Sequence, residues 1–417
     1  MQPLPESTWQ DDVRPLERFP KLGSDVQVDV AIVGAGLAGL CTAYELSKTG
    51  LSVAVLNKSN IGNSATGYTT AFATYDIDTN LADLAAMYGK ARAKMVWESG
   101  RTAIDWLEET LKHEEIEAEF MRCPLTVFAH SVKDARALDK EAKTAMAFGF
   151  PVSIEQVPNL GFTQAGHFTL HHQAKCHATK ALFGLTRACA KRGVKIYEDT
   201  EVTKIQGRSP LLETSTGHVV QAKWVLVASY YPVGRQGVTA FKKARYESYV
   251  LEAKIPSGRI KEGLYLDTST PYHYFRVDRR PDHDRLILGG EDHRADIPVP
   301  AKNAFTALHQ YLDRLVGPGK HEFVRQWQGH MIEPSDGLPL IGLTKPRRLV
   351  ATGFSGNGFT YAPITALLCR AIIQGEKHPW QALYNPRRIP NLVQMIYKGR
   401  DYSKIMMGGA LKNLFKR

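Results

Sequence analysis

The stretch that decides the fold is Asp25-Val-Gln-Val-Asp-Val-Ala-Ile-Val-Gly34-Ala-Gly36-Leu-Ala-Gly39. Residues 25–33 alternate and then become wholly apolar, which predicts a strand, and residues 40–48 predict a helix. A second apolar strand is predicted over 51–56. Glycines placed between a strand and a helix in this way are typical of a dinucleotide-binding βαβ unit.

Each glycine of the turn has its own physical purpose. Gly34 permits the tight turn, Gly36 lets a pyrophosphate approach the backbone, and Gly39 allows the helix to pack closely on the strand. The helix N-terminus then directs its N–H groups at the phosphates. The predicted dinucleotide contacts of this turn are Gly34, Ala35, Gly36, Leu37, Ala38 and Gly39.

The end of the second strand departs from the usual pattern. An acidic residue normally accepts the ribose hydroxyls there, but this chain has Asn57 followed by Lys58. The Asn57 amide can still hydrogen-bond a hydroxyl as donor or acceptor, and Lys58 can meet a phosphate. Both stay candidate cofactor residues, and the cofactor's identity must come from other segments.

A small, hydroxyl-rich segment follows: Ile61-Gly-Asn-Ser-Ala-Thr-Gly-Tyr-Thr-Thr70. Together with the glycine turn it resembles the D-amino-acid oxidase/glycine oxidase superfamily of FAD enzymes, and specifically the branch that often carries a Rieske domain. The resemblance implies FAD, bound non-covalently because no suitable His or Cys stands near Tyr68. The implied contacts from this segment are Ser64, Ala65, Thr66, Gly67, Thr69 and Thr70.

Three further segments carry the same resemblance. Residues 193–202 look like the family strand whose last residue, Val202, contacts adenine, and residues 224–229 look like its second dinucleotide-fold strand, which includes Ala228. Residues 336–342 and 350–360 resemble the closing flavin motif, which aims N–H groups at the flavin N1 and O2 edge. The implied contacts there are Gly353, Gly356, Asn357, Gly358, Phe359 and Thr360.

The resemblance spans nearly the whole chain and implies an α/β fold. An FAD-binding Rossmann-like domain would be joined to an α+β substrate domain built on an antiparallel sheet. The predicted ranges are an N-terminal extension at 1–24, an FAD-binding domain at 25–80, 150–235 and 330–380, a substrate domain at 81–149 and 236–329, and a basic tail at 381–417. Helices are expected near 81–97, 102–113, 134–147 and 174–191, and strands near 245–253, 272–277 and 285–290.

The resemblance also implies the chemistry. Hydride passes from a substrate C–H bond to flavin N5, so no catalytic triad is expected. Sarcosine-oxidase-like members have a carboxylate-binding basic residue where this chain has Thr360, and an oxygen-activating lysine where it has Ile287. Loss of that charge favours a dehydrogenase, unless Lys242 or Lys243 reaches the ring. No Rieske ligand pattern follows the flavin segments, so the electron acceptor would be external, either O2 or a quinone or other carrier.

Acidic residues stand where related enzymes have substrate contacts or an arginine. They are Asp76, Asp78 and the Glu291-Asp292-His293 segment. A carboxylate facing the pocket would favour a cationic amine over an amino acid. The alternative is that these residues are solvated turn residues.

An aromatic strand resembles the pocket wall of family members. Alternation places Tyr272 and Tyr274 together, where they could surround an ammonium group or serve only sheet packing. Arg276 could bind a substrate anion or form an ion pair. The predicted catalytic residues on the substrate side are Tyr272, Tyr274, Glu291 and Asn357.

Composition excludes several other classes. The 417 residues are 43% apolar and 23% charged, ordinary values for a globular chain. The net charge of +11 has no nucleic-acid-binding motif beside it, so no nucleic-acid partner is expected. Five scattered cysteines indicate neither disulfides nor a metal cluster. Histidines 167, 171, 172 and 177 are interpreted as surface or interdomain hydrogen-bonding residues, so no metal is predicted.

Location is predicted from the ends of the chain. The polar N-terminus lacks a signal peptide and no stretch is apolar enough to span a membrane, so the cytoplasm is expected. The basic tail over 403–417 could lie on an anionic membrane surface or dock on the protein itself.

The sequence therefore predicts an FAD-dependent oxidoreductase that oxidises the C–N bond of a primary or secondary amine to an imine. Two alternatives stay open: an amino-acid oxidase of the glycine, sarcosine or D-amino-acid type, and a non-catalytic flavoprotein subunit of a larger complex.

Overall fold

The Gly34–Gly39 turn lies at the carboxyl end of the first strand of a twisted sheet, as the sequence predicts. The structure, a computed structural model, describes residues 7–389 except 12, 15, 155–159, 230–232, 234–242 and 298. Residues 390–417 of the predicted basic tail, which include the possible membrane-binding segment 403–417, lie outside the described residues, as does Lys242. The side chain of Lys243 is not described.

The described chain alternates strands and helices in its first half and is strand-rich in its second. The strands are β1 Val26–Val33, β2 Val53–Leu56, β3 Phe72–Ala73, β4 Met121–Ala129, β5 Val152–Ser153, β6 Gly166–Lys175, β7 Lys195–Tyr197, β8 Val202–Gln206, β9 Leu211–Thr214, β10 Val219–Val227, β11 Lys243–Ile255, β12 Gly263–Asp267, β13 His273–Arg279, β14 Asp284–Arg294, β15 Glu322–Pro334, β16 Leu340–Lys345 and β17 Arg348–Thr352. The α-helices are α1 Leu37–Ser47, α2 Leu81–Tyr88, α3 Lys90–His113, α4 Val132–Ala147, α5 Ala178–Lys191, α6 Ala301–Val316 and α7 Gly358–Gln374, with 3-10 helices at Thr8–Gln10 and Ala65–Tyr68.

The first sheet is mainly parallel. Its order is β16-β17-β10-β1-β2-β7, and β9 and β8 continue from β10 as an antiparallel extension. The neighbours of β1 on both sides run parallel to it, and helices α1, α5 and α7 pack together beside the sheet. The carboxyl half of β1 and all of β2 are apolar and buried, because parallel sheets are covered on both faces. The predicted Rossmann-like α/β fold is confirmed.

The second sheet is mainly antiparallel, with the order β15-β11-β14-β13-β12-β4-β6-β3 and with β5 on β6. One face packs against α6 through Tyr249, Leu251 and Leu288, among other residues. Alternation places Ser248 on the opposite face, and Ile287 packs in the cluster that also contains the core of the first sheet. This second face therefore looks toward the glycine turn.

The domain limits stay a prediction, and the sheets divide the chain somewhat differently. Strands β3, β5 and β6 and the end of β15 lie in ranges predicted to belong to the FAD-binding domain, but they pair within the second sheet.

Some helix and strand limits differ from expectation. Gly89, at φ 83°, separates α2 from α3, which then continues without a break to His113. Gly100 can remain in that helix because it packs against Tyr75, whose Cα would lie 2.8 Å from an added Cβ. The predicted helix over 174–191 begins only at Ala178, because β6 extends to Lys175. The strand predicted over 193–202 is divided into β7 and β8.

A buried ion cluster supports the second sheet beneath the site. Asp278 accepts hydrogen bonds from Arg276 at 2.8 and 3.0 Å, from Arg285 at 2.7 and 3.0 Å and from Lys175 at 2.8 Å. These cations hold the pKa of the Asp278 carboxyl below its usual range although burial opposes the shift. The single carboxylate thus pairs with three cations, one of which, Lys175, it shares with Glu262 at 2.8 Å.

We predict that Asp278→Asn lowers the free energy of unfolding at neutral pH by about 3–5 kcal/mol, because it leaves buried cations unpaired. Because the folded-state pKa is depressed, this contribution is complete above about pH 4 and is lost as pH falls below that. Wild-type protein should therefore lose stability in acid more steeply than the variant. Urea unfolding between pH 3 and 7 measures both effects, and Asp282→Asn, on an exposed carboxyl, is the control. Equal losses in the two variants would contradict the prediction.

Candidate active site

The glycine turn is closed by contacts that a side chain would prevent. Gly34 adopts φ 108° and donates its N–H to Leu56 O at 2.8 Å. A Cβ on Gly34 would lie 2.9 Å from Ala228 O, and a Cβ on Gly39 would lie 1.9 Å from Gly34 O. Strand β1, helix α1 and the end of β10 therefore meet at a spacing that only glycine permits.

Gly36 lies close to two hydroxyl groups. A Cβ added there would lie 3.6 Å from Thr66 Oγ1 and 3.9 Å from Ser64 Oγ. Thr66 Oγ1 accepts the Leu37 N–H at 3.3 Å, whereas Ser64 Oγ is buried without a hydrogen-bond partner among the described residues. An unpaired buried hydroxyl beside a helix N-terminus fits a phosphate oxygen that would accept its proton.

Asn57 and Lys58 have partners within the protein. Asn57 Oδ1 accepts the Ala35 N–H at 3.0 Å, and its Nδ2 donates to Ser59 O at 2.6 Å. The amide therefore supports the turn while keeping a second lone pair and a second N–H. Lys58 Nζ lies 2.9 Å from the exposed carboxylate of Glu201.

The other cofactor residues predicted in this half surround the same sheet edge. Gly67 packs against Gly62, whose oxygen would lie 2.2 Å from an added Cβ. Ala65 lies in the short 3-10 helix, and the carbonyls of Thr69 and Thr70 accept hydrogen bonds from Trp9 and Arg276. Ala38 is buried inside α1, the Ala228 N–H bonds to Val33 O at 2.9 Å, and Val202 is the buried first residue of β8.

The closing motif forms a second glycine turn after β17. Gly353 adopts φ 76°, and Asn357 immediately precedes helix α7. A Cβ on Gly358 would meet no atom within 4 Å, so the helix N-terminus faces open space. Phe359 and Thr360 point inward, and the Thr360 hydroxyl donates to Thr74 O at 2.6 Å.

The aromatic strand β13 brings two tyrosines to one place. The rings of Tyr272 and Tyr274 are 5.8 Å apart, and a Cβ on Gly289 would lie 2.4 Å from Tyr274 Cζ. The Tyr272 hydroxyl donates to Asp292 Oδ2 at 2.8 Å, and the Tyr274 hydroxyl lies 3.1 Å from Ser248 Oγ. Both rings are partly exposed and so border a space in addition to packing on the sheet.

Asp292 is the chemically unusual group of this cluster. It is 8% exposed, and its Oδ1 is buried with no hydrogen-bond partner among the described residues. Burial raises the pKa of the carboxyl to about 6 against hydrogen bonding by the Ser248 and Tyr272 hydroxyls, which lowers it, and the Asp78 carboxylate adds to the rise. Two carboxylates thus act on the same small region.

Asp78 links this region to the closing flavin motif. It accepts from Asn357 Nδ2 at 3.3 Å and from the Gly356 N–H at 3.5 Å. Burial raises the pKa of Asp76 well above its usual range, with the Glu141 and Asp78 carboxylates adding to the effect. The structure therefore brings Asn357, the tyrosine pair, Asp292 and Asp78 to the end of α7, with Asp78 itself exposed.

Comparison with known proteins identifies this arrangement. The family model described as FAD dependent oxidoreductase (DAO) matches residues 29–371. The chain belongs to this family. It is 25% identical over 98% of its length to a Bacillus subtilis protein named "Putative Rieske 2Fe-2S iron-sulfur protein YhfW", covering 81% of that protein. It is 22% identical to gamma-glutamylputrescine oxidoreductase of Escherichia coli, covering 89% of each.

A solved structure shares the fold. Glycine oxidase from Geobacillus kaustophilus superposes with a TM-score of 0.73 at 23% identity, covering 87% of this chain and all of that one. The predicted family, fold class and cofactor, FAD, are confirmed. The open space at Gly358 and the unpaired Ser64 hydroxyl of this DAO-family chain fit that cofactor.

Glu291 is not brought together with the tyrosines. The pairing of β11 with β14 shifts register between Glu247 and Tyr249, and Glu291 adopts φ 56° there. Its Oε1 lies 3.2 Å from His273 Nε2, and His273 stacks on Tyr311 at 4.1 Å between ring centres. The bulge therefore directs Asp292, rather than Glu291, to the tyrosine hydroxyl.

Arg276 forms an ion pair and does not line the open space. Besides Asp278, it donates to the carbonyls of Thr70, Ala71 and Cys176. Ile287 is fully buried, opposite Arg276 in the sheet. Sequence reasoning missed two residues. The side of the sheet on which Ser248 lies depends on the register between β11 and β14, and Trp9 is an isolated aromatic residue in a polar segment.

The side chains of His171 and His177 form hydrogen bonds within the protein, but His177 is buried rather than at the surface. His171 Nε2 lies 2.7 Å from Ser153 Oγ, and His177 precedes α5 and accepts the Lys180 N–H at 3.2 Å. Within the described part of the chain, no group of three or more His, Cys, Asp or Glu side chains could hold a metal ion. None of the helices described there has the length and apolar character needed to cross a membrane.

We predict that Ser64→Ala weakens FAD binding roughly tenfold, since it removes one buried hydrogen bond to a charged group. The melting temperature of the apoprotein should not fall, because Ser64 Oγ has no protein partner to lose. Thr66→Val is the matched control and should lower both quantities, because it also removes the bond to Leu37. FAD titration and thermal melting of the apoprotein measure them, and wild-type FAD affinity in Ser64→Ala would contradict the prediction.

Proposed function

We propose that this DAO-family oxidoreductase oxidises a cationic primary or secondary amine to an imine, which water then hydrolyses to a carbonyl compound. The observation that carries the proposal is the buried Asp292 carboxylate, whose Oδ1 has no partner among the described residues. A buried anion with one unused oxygen is costly unless a ligand completes it. A substrate ammonium or its N–H groups would do so.

The chemistry divides between cofactor and protein. Bound FAD supplies the acceptor for the hydride of the C–H bond next to the amine nitrogen, and the nitrogen lone pair becomes the C=N bond. The amine must first lose a proton from its ammonium form. The protein's task is therefore to bind the cation, direct its α-carbon and hold water away until oxidation is complete.

The described residues suit these tasks. Asp292 and Asp78 provide negative charge, and the faces of Tyr272 and Tyr274 can contact an ammonium group. Asn357, which immediately precedes α7, would help to position the substrate relative to the cofactor. The cofactor would be held by the Gly34–Gly39 turn, the Ser64 and Thr66 hydroxyls and the Gly358 end of α7.

An amino-acid substrate is less well served by this site. Its carboxylate needs a cation, and Arg276 is already committed to Asp278 and three carbonyls. Repulsion from Asp78 and Asp292 would also oppose a carboxylate. The similar protein from Escherichia coli is named gamma-glutamylputrescine oxidoreductase, and this name is consistent with an amine substrate.

We predict that the KM for cationic amines rises as pH falls through about 6, because Asp292 then becomes protonated. Above that pH the carboxylate is charged and binding is complete. Asp292→Asn should raise the KM at least about tenfold at pH 8 and remove the pH dependence near 6. Anaerobic flavin bleaching with a panel of amines and amino acids, together with detection of the carbonyl product, provides the measurement.

The matched control for this test is Glu291→Gln, one residue away. Its carboxylate faces His273, so its KM should stay close to the wild-type value across the pH range. If amino acids bleach the flavin faster than amines, or if Glu291→Gln reproduces the effect of Asp292→Asn, the proposed substrate class is wrong.

We further propose that electrons leave to a quinone or another carrier, because Ile287 supplies no charge for reaction with O2. The reduced flavin should persist in air and reoxidise quickly with a soluble quinone. Ile287→Lys should speed the reaction with O2 on the order of a hundredfold, as for other preorganised charges at reacting oxygen. Stopped-flow reoxidation measures the rate, and Ile287→Met controls for altered packing. Rapid reoxidation of wild-type protein in air would refute this prediction.

A further inference from the structure

A segment before the first strand lies against the cofactor loop. We define the strap as residues 7–22, of which 12 and 15 lie outside the described residues, and the cofactor loop as residues 61–70. Segments with little regular secondary structure are usually mobile unless specific contacts hold them. Here Trp9 is fully buried and Leu22 is 1% exposed.

Trp9 packs against two cations of the ion cluster. The guanidinium carbons of Arg276 and Arg285 each lie 5.2 Å from its ring centre. Arg285 Nη1 also donates to Thr8 Oγ1 at 3.3 Å. Cation–π contacts of this kind are strongest when desolvated, as these are.

The strap then donates hydrogen bonds to the end of the cofactor loop. Trp9 Nε1 donates to Thr69 O at 2.5 Å, and the Ser7 hydroxyl donates to Gly67 O. Arg276, beneath the indole, donates to the next carbonyl of the loop, Thr70 O, at 3.0 Å. Trp9 therefore links the cofactor loop to the ion cluster of the second sheet.

The other end of the strap meets the start of the same loop at one buried carboxylate. Glu198, whose side chain is 2% exposed, accepts from Arg18 Nε at 2.7 Å and from the Phe19 N–H at 2.9 Å. The same carboxylate accepts the Ile61 N–H at 2.6 Å. The cofactor loop is thus fixed at both ends by contacts that involve the strap.

The loop between these two points needs such support. It is made largely of Gly, Ser, Ala and Thr, which bury little apolar surface, and it carries the unpaired Ser64 hydroxyl. A loop that must be ordered on binding lowers ligand affinity, whereas one held in advance does not. Anything that orders the loop would therefore favour FAD.

We propose that the strap is a working part of the FAD site, with Trp9 as a positioning residue that holds the cofactor loop in its FAD-binding conformation. Because such coupling is reciprocal, FAD also stabilises the strap against opening. This inference concerns cofactor retention and does not depend on which amine is oxidised.

The test compares two tryptophan variants in the full-length protein. Trp9→Phe keeps an aromatic ring against the arginines but removes the N–H to Thr69. Trp106→Phe removes a similar buried bond, 2.8 Å to Glu45 Oε1, that does not involve the cofactor loop. We expect Trp9→Phe to weaken FAD binding about fivefold, the effect of one buried hydrogen bond, and Trp106→Phe to leave it unchanged.

Hydrogen exchange supplies a readout that a merely structural tryptophan would not move. In wild-type protein, FAD should slow amide exchange in residues 7–22 and 61–70 together, and Trp9→Phe should reduce that protection in both segments. Ser7→Ala should have a smaller effect of the same kind. Equal FAD affinity in wild type and Trp9→Phe, or FAD protection of the loop without the strap, would overturn the proposal.

Discussion

The contact between Gly34 and Gly39 determines where the cofactor can lie. Helix α1 begins so close to the end of β1 that an added Cβ on Gly39 would lie 1.9 Å from Gly34 O. That approach directs the first N–H groups of α1 past Gly36 toward the Ser64 and Thr66 hydroxyls. The other residues predicted to contact the cofactor, from the closing motif at α7 to the cofactor loop, lie around this fixed point.

Opposite this point, the second sheet carries the buried ion cluster around Asp278 and the carboxylate of Asp292. The ion cluster around Asp278 holds Arg276 and Arg285 away from the open space, so the positive charges of the sheet are used for structure. Asp292 keeps one buried oxygen without a partner among the described residues. Arg276 and Arg285 are thus paired within the protein, while the Asp292 carboxylate is left available to a ligand. This is the electrostatic pattern expected for a pocket that accepts an amine.

The fold was predictable from sequence because its key positions are local. The strand, the glycine turn and α1 are contiguous, and the closing motif at Gly353–Thr360 is equally compact. Sequence alternation also placed Tyr272 and Tyr274 side by side. These features depend on neighbours in the chain, which a single sequence contains.

What the sequence could not provide depends on pairing between distant segments. The bulge that directs Asp292 rather than Glu291 toward Tyr272 arises from the register between β11 and β14. Trp9 gave no periodic signal, because its partners, Thr69, Arg276 and Arg285, lie far along the chain. Gly100 in α3 similarly owes its place to Tyr75 on another element.

The most direct test of the account uses ligands that cannot be oxidised. The absorbance spectrum of the bound flavin should be recorded while tetramethylammonium or pivalate, a cation and an anion of similar shape, is added at pH 8. The account predicts that tetramethylammonium perturbs the spectrum and competes with amine substrates, while pivalate does neither. Tighter binding of pivalate would contradict the cationic site around Asp292 and favour a carboxylate-bearing substrate.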